Sequence, residues 1–449
     1  MFLDVPMQPI LVVDSAQAAT DLLEKRSHLY SDRLQLLMPK LMSWDFSMAL
    51  MPYGADWRAH RKAFHRYFEP NALPAYDDII RHEISACISR LLDSPENITI
   101  HVRQMFASMI LQIVYGMKIH SLDDEFIRVV EEALDGANRA GAIGENWVEF
   151  LPFLQYIPSW LPGGRTSRLA ERYKPFVENM IKGPLQKVRS ALNEGVAIPC
   201  IANSMLMELQ DKVGSSELPL DQERLLRNVT GVAYIGASDT TVSAVTSFLL
   251  AMALYPNVQK KAQEELDRVV GTGRLPEPSD WDSLVYIQAV TLETMRWIPA
   301  GPLAVPHRLT EDDEYNGYFI PAGTIVIPNA WAMLHDPSDY PEPGTFKPER
   351  FIKDGRIDPN VRNPRAFAFG FGRRVCPGED LGFNAVGLFI ATALQVFNIS
   401  AGVDADSKPQ KLSTEVRDGF IIHPITVPTG ISPRSDAAER LIREQPASV

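Results

Sequence analysis

The segment from Val229 to Pro256 constrains the fold more than any other. It is the most apolar stretch of the chain, and Asp239 is its only charge. By hydropathy alone it has the length and character of a membrane helix, which needs about 20 apolar residues. The competing reading is a central helix that is apolar on every side because protein surrounds it. The polar cluster Ser238-Asp239-Thr240-Thr241, with Ser243, sits in the middle of the segment. A charge and several hydroxyls halfway along favour burial in protein, with a function at that point. Wrapping such a helix takes a large apolar surface, and 449 residues with 45% hydrophobic content can supply it. A prior of ~150 residues per domain divides this length into about three units; one large mixed domain is the alternative.

Around this segment the first two-thirds of the chain reads as helix. Arg81 to Leu92 is amphipathic, and Arg103 to Tyr115 is largely apolar. Tyr173 to Asn193 is helical apart from Gly183-Pro184, Gln259 to Val270 is a charged surface helix, and Asp282 to Trp297 is a further helix ended by Pro299. The texture then changes. Leu303 to Leu309 and Tyr318 to Ile327 read as strands, His335 to Phe351 as Pro-rich irregular chain, and Ala366 to Gly378 as a Gly- and aromatic-rich loop. Leu381 to Val396 is uncharged and reads as a second buried helix, and Ser413 to Thr426 as a closing hairpin. The charged tail, 432–449, is expected to be flexible. The chain opens on an expected strand, Ile10 to Val13, followed by a helix capped by Asp14 or Ser15. The pattern is α+β and predominantly helical, with sheet at the start and near the end. Met1 to Thr20 contains neither a signal-peptide core nor a membrane span, and the N-terminal part is expected to be truncated.

Lys+Arg 44 against Asp+Glu 56 gives a net charge of −12, which excludes a whole-chain basic footprint for nucleic acid. The three cysteines, Cys87, Cys200 and Cys376, cannot make a disulfide framework. Cys376 lies in Phe369-Gly-Phe-Gly-Arg-Arg-Val-Cys-Pro-Gly378, a glycine-flanked loop just before a helix. The helix N-terminus and Arg373 and Arg374 favour a thiolate there. A lone Cys is not a zinc site. A nucleophile would need a base that the sequence does not locate. A haem iron needs only one strong thiolate below it and an open face above.

Phe369-x-x-Gly372-x-Arg374-x-Cys376-x-Gly378 resembles the haem-binding signature of the cytochrome P450 family. Four further features agree in the same chain order: Trp57-x-x-x-Arg61; Gly236-Ala-Ser-Asp239-Thr240-Thr241; Glu293-x-x-Arg296; and Pro348-Glu-Arg350-Phe351. The resemblance runs from about Ile10 to Pro428, and Leu34 to Trp57 and Pro306 to Pro337 look closest to fungal members acting in secondary metabolism or xenobiotic oxidation. It implies a cytochrome P450 fold with a long central helix and small β-sheets, 1–449 being one haem domain. It also implies a haem b cofactor with its axial thiolate from Cys376. Phe369 would shield the sulfur, and Gly372 and Gly378 would let the backbone approach the porphyrin. Trp57, Arg61, His307 and Arg374 would hold the propionates, with strand alternation deciding between His307 and Arg308. Glu293, Arg296 and Arg350 would form a buried structural triad. Asp239 and Thr240 would deliver protons during oxygen activation. The family usually has glycine where Ala237 stands, a departure that narrows the oxygen groove.

The implied activity is monooxygenation, placing one atom of O2 into a hydrophobic small molecule such as a terpenoid, a polyketide or a polycyclic aromatic. A P450-fold isomerase, dehydratase or peroxygenase, and an inactive truncated haem-binding protein, are the alternatives. From Lys347 to Arg374 eight basic residues stand against three acidic ones, a local +5. This stretch is the expected docking patch for an NADPH-cytochrome P450 reductase. The early loop with Met38, Met42, Met48 and Met51, and the segment Pro299 to Val305, are expected to wall an apolar pocket, with Phe150, Phe153 and Tyr156 as a lid. The family implies the cytoplasmic face of the endoplasmic reticulum, although this chain carries no transmembrane anchor.

Overall fold

The computed structural model describes residues 1–5, 8–119, 124–141, 146–403 and 408–444. The apolar segment forms the Leu220–Ser238 and Thr240–Leu254 helices, which meet at Asp239. The expectation of one central helix holds except at this residue, where φ is −130° and ψ −39°. Local chemistry accounts for the interruption. The hydroxyls of Ser238, Thr240 and Thr241 donate to the carbonyls of Tyr234, Gly236 and Ala237, each four residues back. Such bonds compete with the helical ladder and bend it.

By length and composition Leu220–Leu254 could cross a bilayer, yet 78% of its apolar window is buried inside the protein. Helices wrap it: Ile98–Tyr115, Arg165–Asn193, Val285–Trp297 and Glu379–Val396. The edge-on contact of Phe248 with Phe389, 6.5 Å between ring centres, ties the central helix to Glu379–Val396. Arg165–Asn193 is continuous through Pro175 and Pro184, correcting the break expected at Gly183-Pro184. The helix expected from Asp282 begins at Val285, after a 3-10 turn at Pro278–Ser283 that takes in Asp282 and Ser283.

One five-stranded sheet has the order Phe2–Leu3, Ile10–Val13, Ile325–Pro328, His307–Arg308, Asp32–Arg33. Ile10–Val13 and Ile325–Pro328 pair in parallel, and the remaining neighbours are antiparallel. The register places Arg33 opposite His307, and His307 opposite Val326. The closing hairpin pairs Val416–Arg417 with His423–Pro424. The tail is a correction. Gly430–Pro433 pairs with Phe397–Ser400, and Asp436–Arg443 is a helix capped by Ser435 with Ala438 and Ile442 buried. An apolar stripe inside a charged sequence anchors it. Residues 445–449 lie outside the described set.

Candidate active site

The loop carrying Cys376 is closed by the Cys376 N–H donating to the Phe369 carbonyl at 2.7 Å. Gly372 is required within it: φ is +52°, and a Cβ would stand 2.1 Å from the Leu23 carbonyl oxygen. Gly378 is different. Its φ is −101°, and a Cβ there would meet no protein atom within 4 Å. Gly236 on the central helix likewise borders open space. The two segments touch one turn further on, where a Cβ at Gly382 would lie 4.0 Å from both Phe369 and Thr241.

Cys376 is the exposed one of the three cysteines, yet it sits deep among protein atoms. Its sulfur therefore faces a hollow rather than the outer surface. Burial pushes the thiol up, while the Gly378 N–H and the Arg61 charge favour the thiolate. Burial raises both other cysteines, Cys87 to about 12.

A second cluster lies beside the loop. Arg374 is buried, with Nε, Nη1 and Nη2 donating to the carbonyls of Ser31, Met48 and Met51 at 2.8, 3.1 and 2.8 Å. Its guanidinium lies 4.4 Å from the centre of the Trp57 ring, whose Nε1 also donates to Met48. Arg61 donates to the Val375 carbonyl at 2.5 Å. Arg33 is buried and donates to the carbonyls of Ala49, Val305 and Pro306. None of these three arginines forms an ion pair among the described residues. Burial lowers all three, Arg374 to about 10, and Arg33 and Arg374 repel one another. Strand alternation turns His307 inward and leaves Arg308 exposed. His307 Nδ1 sits 2.7 Å from the Tyr30 carbonyl oxygen, which can only accept, so Nδ1 carries the proton. Burial, followed by the Arg33 charge, holds this imidazole well below its ordinary value and hence neutral.

Buried cations without carboxylates are costly. An open sulfur, glycines bordering empty space and this unbalanced positive cluster together fit a flat ligand that is liganded by thiolate and carries carboxylates. Haem meets all three conditions.

Above the loop, Asp239 Oδ1 lies 3.2 Å from His423 Nε2 and 3.8 Å from Arg103 Nη2. Thr240 Oγ1 donates back to Gly236 at 2.9 Å, which leaves its lone pairs free to accept. In the remaining sequence-derived group Glu293 and Arg296 are fully buried and Arg350 is partly buried. Arg296 makes a two-point contact with Glu293 (Nε–Oε2 2.7 Å, Nη2–Oε1 2.8 Å), and Arg350 Nε reaches Oε1 at 3.2 Å. The Lys347 N–H donates to the same oxygen. The two guanidiniums also bind the carbonyls of Leu334, Pro341, Glu342 and Thr345. This triad pins the irregular chain that leads to the Cys376 loop.

Three expectations change. Met38, Met42, Met48 and Met51 are buried in the core, where they pack against other side chains; Leu303 is half exposed and Val305 partly buried. Phe150, Phe153 and Tyr156 are exposed on short turns beside Trp147 and Trp160, and form no lid. The local +5 shrinks on folding: Arg374 is buried, Arg350 is paired with Glu293, and Lys347, Arg362 and Arg365 are ion-paired. Among the described residues Lys353, Arg356 and Arg373 of this run are exposed without ion pairs, and Arg58 and Lys62 are further exposed cations on the helix that carries Arg61. Sequence reasoning missed Arg33, Arg103 and His423. The one signal for Arg33 was a lone arginine in a non-helical stretch.

The cytochrome P450 family model matches residues 1–426, and the chain belongs to that family. A cytochrome P450 monooxygenase of Coprinopsis cinerea is 38% identical, covering 100% of this chain and 85% of the relative. The tryptamine 4-monooxygenase of Psilocybe cyanescens is 38% identical over 94% of this chain and 83% of its own length. A zebra fish cytochrome P450, solved with abiraterone, shares the fold with TM-score 0.75 at 23% identity, covering 97% of this chain and 96% of its own. The chain is thus an oxidoreductase of the cytochrome P450 monooxygenase family, whose members carry a haem with an axial thiolate. They draw electrons from a redox partner, act on hydrophobic substrates with O2, and are typically membrane-associated.

Proposed function

We propose that this chain is a haem-thiolate monooxygenase placing one oxygen atom from O2 into a small apolar molecule. The terpenoid, polyketide-derived and polycyclic aromatic classes suit its hollow. The observation that carries this is the single exposed sulfur of Cys376, set deep in the protein beside arginines that lack carboxylate partners. Haem, when bound, supplies the iron centre at which O2 is activated.

Cys376 Sγ would ligate the haem iron, and the Gly378 N–H would temper its charge. Arg33, Arg61 and Arg374 would hold the propionates, whereas Trp57 gives its one N–H to Met48 and the neutral His307 gives its one N–H to Tyr30, so these two would pack beside the cluster rather than donate to a carboxylate. The arginine forks suit carboxylates, and two negative charges balance the buried cations. Phe369 shields the sulfur from water. Thr240 would accept a hydrogen bond from water in the groove while its own hydroxyl donates to the Gly236 carbonyl. Asp239 moves protons between solvent and that water. Ala237 narrows the groove beside them. Leu303 and Val305 present apolar surface to the substrate. The intact Asp239-Thr240 pair favours monooxygenation over isomerase, dehydratase or peroxygenase chemistry.

Arg58, Lys62 and Arg373 form the docking face for an acidic NADPH-cytochrome P450 reductase. Trp147, Phe150, Phe153, Tyr156 and Trp160 give the protein an apolar contact with a membrane surface, which suits the cytoplasmic face of the endoplasmic reticulum. The decisive experiment is a reduced carbon monoxide difference spectrum, with Cys376→Ser beside it. The wild type is expected to give the thiolate signature and the variant to lose it. A folded, haem-loaded wild type without that signature, or a variant that keeps it, overturns the reading.

A further inference from the structure

Asp239 stands where the central helix is interrupted, and it has two basic neighbours, Arg103 and His423. Arg103, from the Ile98–Tyr115 helix, is shared: its Nη1 pairs with Glu131 at 3.2 Å, and its approach to Asp239 is the longer one. His423 comes from the closing hairpin, where it lies opposite Arg417. Its Nε2 is 3.2 Å from Asp239 Oδ1, and the two side chains are only 21% and 14% exposed.

Its backbone is fixed from both sides by the preceding residue. The Ile422 carbonyl accepts from Ser243 Oγ of the central helix at 2.5 Å, and the Ile422 N–H donates to Ala300 at 2.9 Å. Two residues after His423, the hairpin closes through Ile425 N–H to the Glu415 carbonyl. The imidazole therefore approaches the acid from a braced support. The arginine is a long side chain divided between two carboxylates.

Resting on the proton-delivery reading of Asp239, we propose that His423 is a positioning residue for that acid. It holds Oδ1 on the hairpin side of the helix interruption. The contact is made at one oxygen, Oδ1, which His423 Nε2 approaches to 3.2 Å, and Oδ2 makes no contact among the described residues and stays open for proton exchange. Without it, Arg103 alone draws the carboxylate toward Glu131 and away from Thr240.

The test uses the haem-loaded protein with a flavin reductase, NADPH and 7-ethoxycoumarin as probe substrate, together with ring nitrogen spectra of histidine-labelled protein. His423→Ala is expected to lower product formed per NADPH by threefold or more, with haem content unchanged and KM within twofold. His423→Gln keeps an N–H at similar reach and is expected to restore coupling to within twofold of wild type. Combined with Asp239→Asn, His423→Ala is expected to add nothing. The His423 ring resonance, identified by its loss in His423→Gln, is expected to move on Asp239→Asn. Unchanged coupling in His423→Ala, full additivity with Asp239→Asn, or an unmoved ring resonance overturns the proposal. If Asp239→Asn itself leaves coupling intact, the proton-delivery reading fails instead, and the ring resonance decides the His423–Asp239 pair.

Discussion

Replacing Glu293 with Gln keeps the shape of the buried triad and removes its only negative charge. Oε2 accepts from Arg296 Nε at 2.7 Å, and Oε1 accepts from Arg296 Nη2, Arg350 Nε and the Lys347 N–H. An amide can serve one of these positions as acceptor but sets an NH2 against a donor at the other. Two guanidiniums, Arg296 with 0% and Arg350 with 5% of the side chain exposed, then lose their counter-charge. Breaking a buried pair in this way costs about 3–5 kcal/mol. Unfolding entropy of about 2.1 cal/mol/K per residue gives a chain of this size roughly 0.9 kcal/mol/K. Glu293→Gln should therefore lower Tm by about 3–5 °C if unfolding is two-state. Thermal unfolding followed by far-UV circular dichroism measures this. Haem per chain should fall alongside, because the triad's carbonyl contacts from Leu334 to Thr345 brace the approach to Cys376. A Tm within 1 °C of wild type would refute the reasoning, since an amide cannot balance two buried cations.

Three further outcomes are expected. Arg33→Gln should speed haem loss to a haem-scavenging apoprotein by about 30-fold, taking about 2 kcal/mol for one member of a buried charge contact; an unchanged rate removes Arg33 from the propionate set. Thr240→Ala should divert most NADPH into peroxide rather than product, and unchanged coupling would argue for one of the non-monooxygenase chemistries. For the haem-free protein, His307 sets a pH dependence. Its folded value lies well below the unfolded value of about 6.5, so below that pH the unfolded state binds a proton that the folded state does not. Stability attributable to His307 is present at pH 7 and is lost as pH falls below about 6.5, by up to about 1.4 kcal/mol per pH unit. Urea titrations of wild type and His307→Gln should converge as pH drops toward 5, and parallel curves would exclude this origin.

Much of the fold could be read locally. The apolar segment from Val229 to Pro256, the second apolar helix after Gly378 and the strand pattern after Leu303 each follow from hydropathy period and punctuation, which are properties of neighbouring residues. The signature around Cys376 identified the family by residue type at fixed spacing. What escaped depends on partners far away in sequence. Arg33 gains its setting only because its strand pairs with His307. His423 reaches Asp239 only because the closing hairpin packs on the central helix. The basic run from Lys347 to Arg374 looked like one surface, but its guanidiniums were assigned to a core triad, to ion pairs and to the hollow by tertiary contacts. The tail looked frayed because its charges hide the stripe that buries Ala438 and Ile442.

The cation cluster has a consequence for the timing of synthesis. Arg374 is bonded to Ser31, 343 residues earlier in the chain, and the sulfur beside it follows two residues later. At about 5–20 residues per second, a ribosome needs roughly 20–70 s to make that interval. Through most of it Arg33 waits without its carbonyl partners at Val305 and Pro306, and to the end without the loop that completes its surroundings. A nascent chain of this protein thus has no complete site for haem until Arg374 and Cys376 have emerged, and cofactor capture comes long after Ser31 and Arg33 are made.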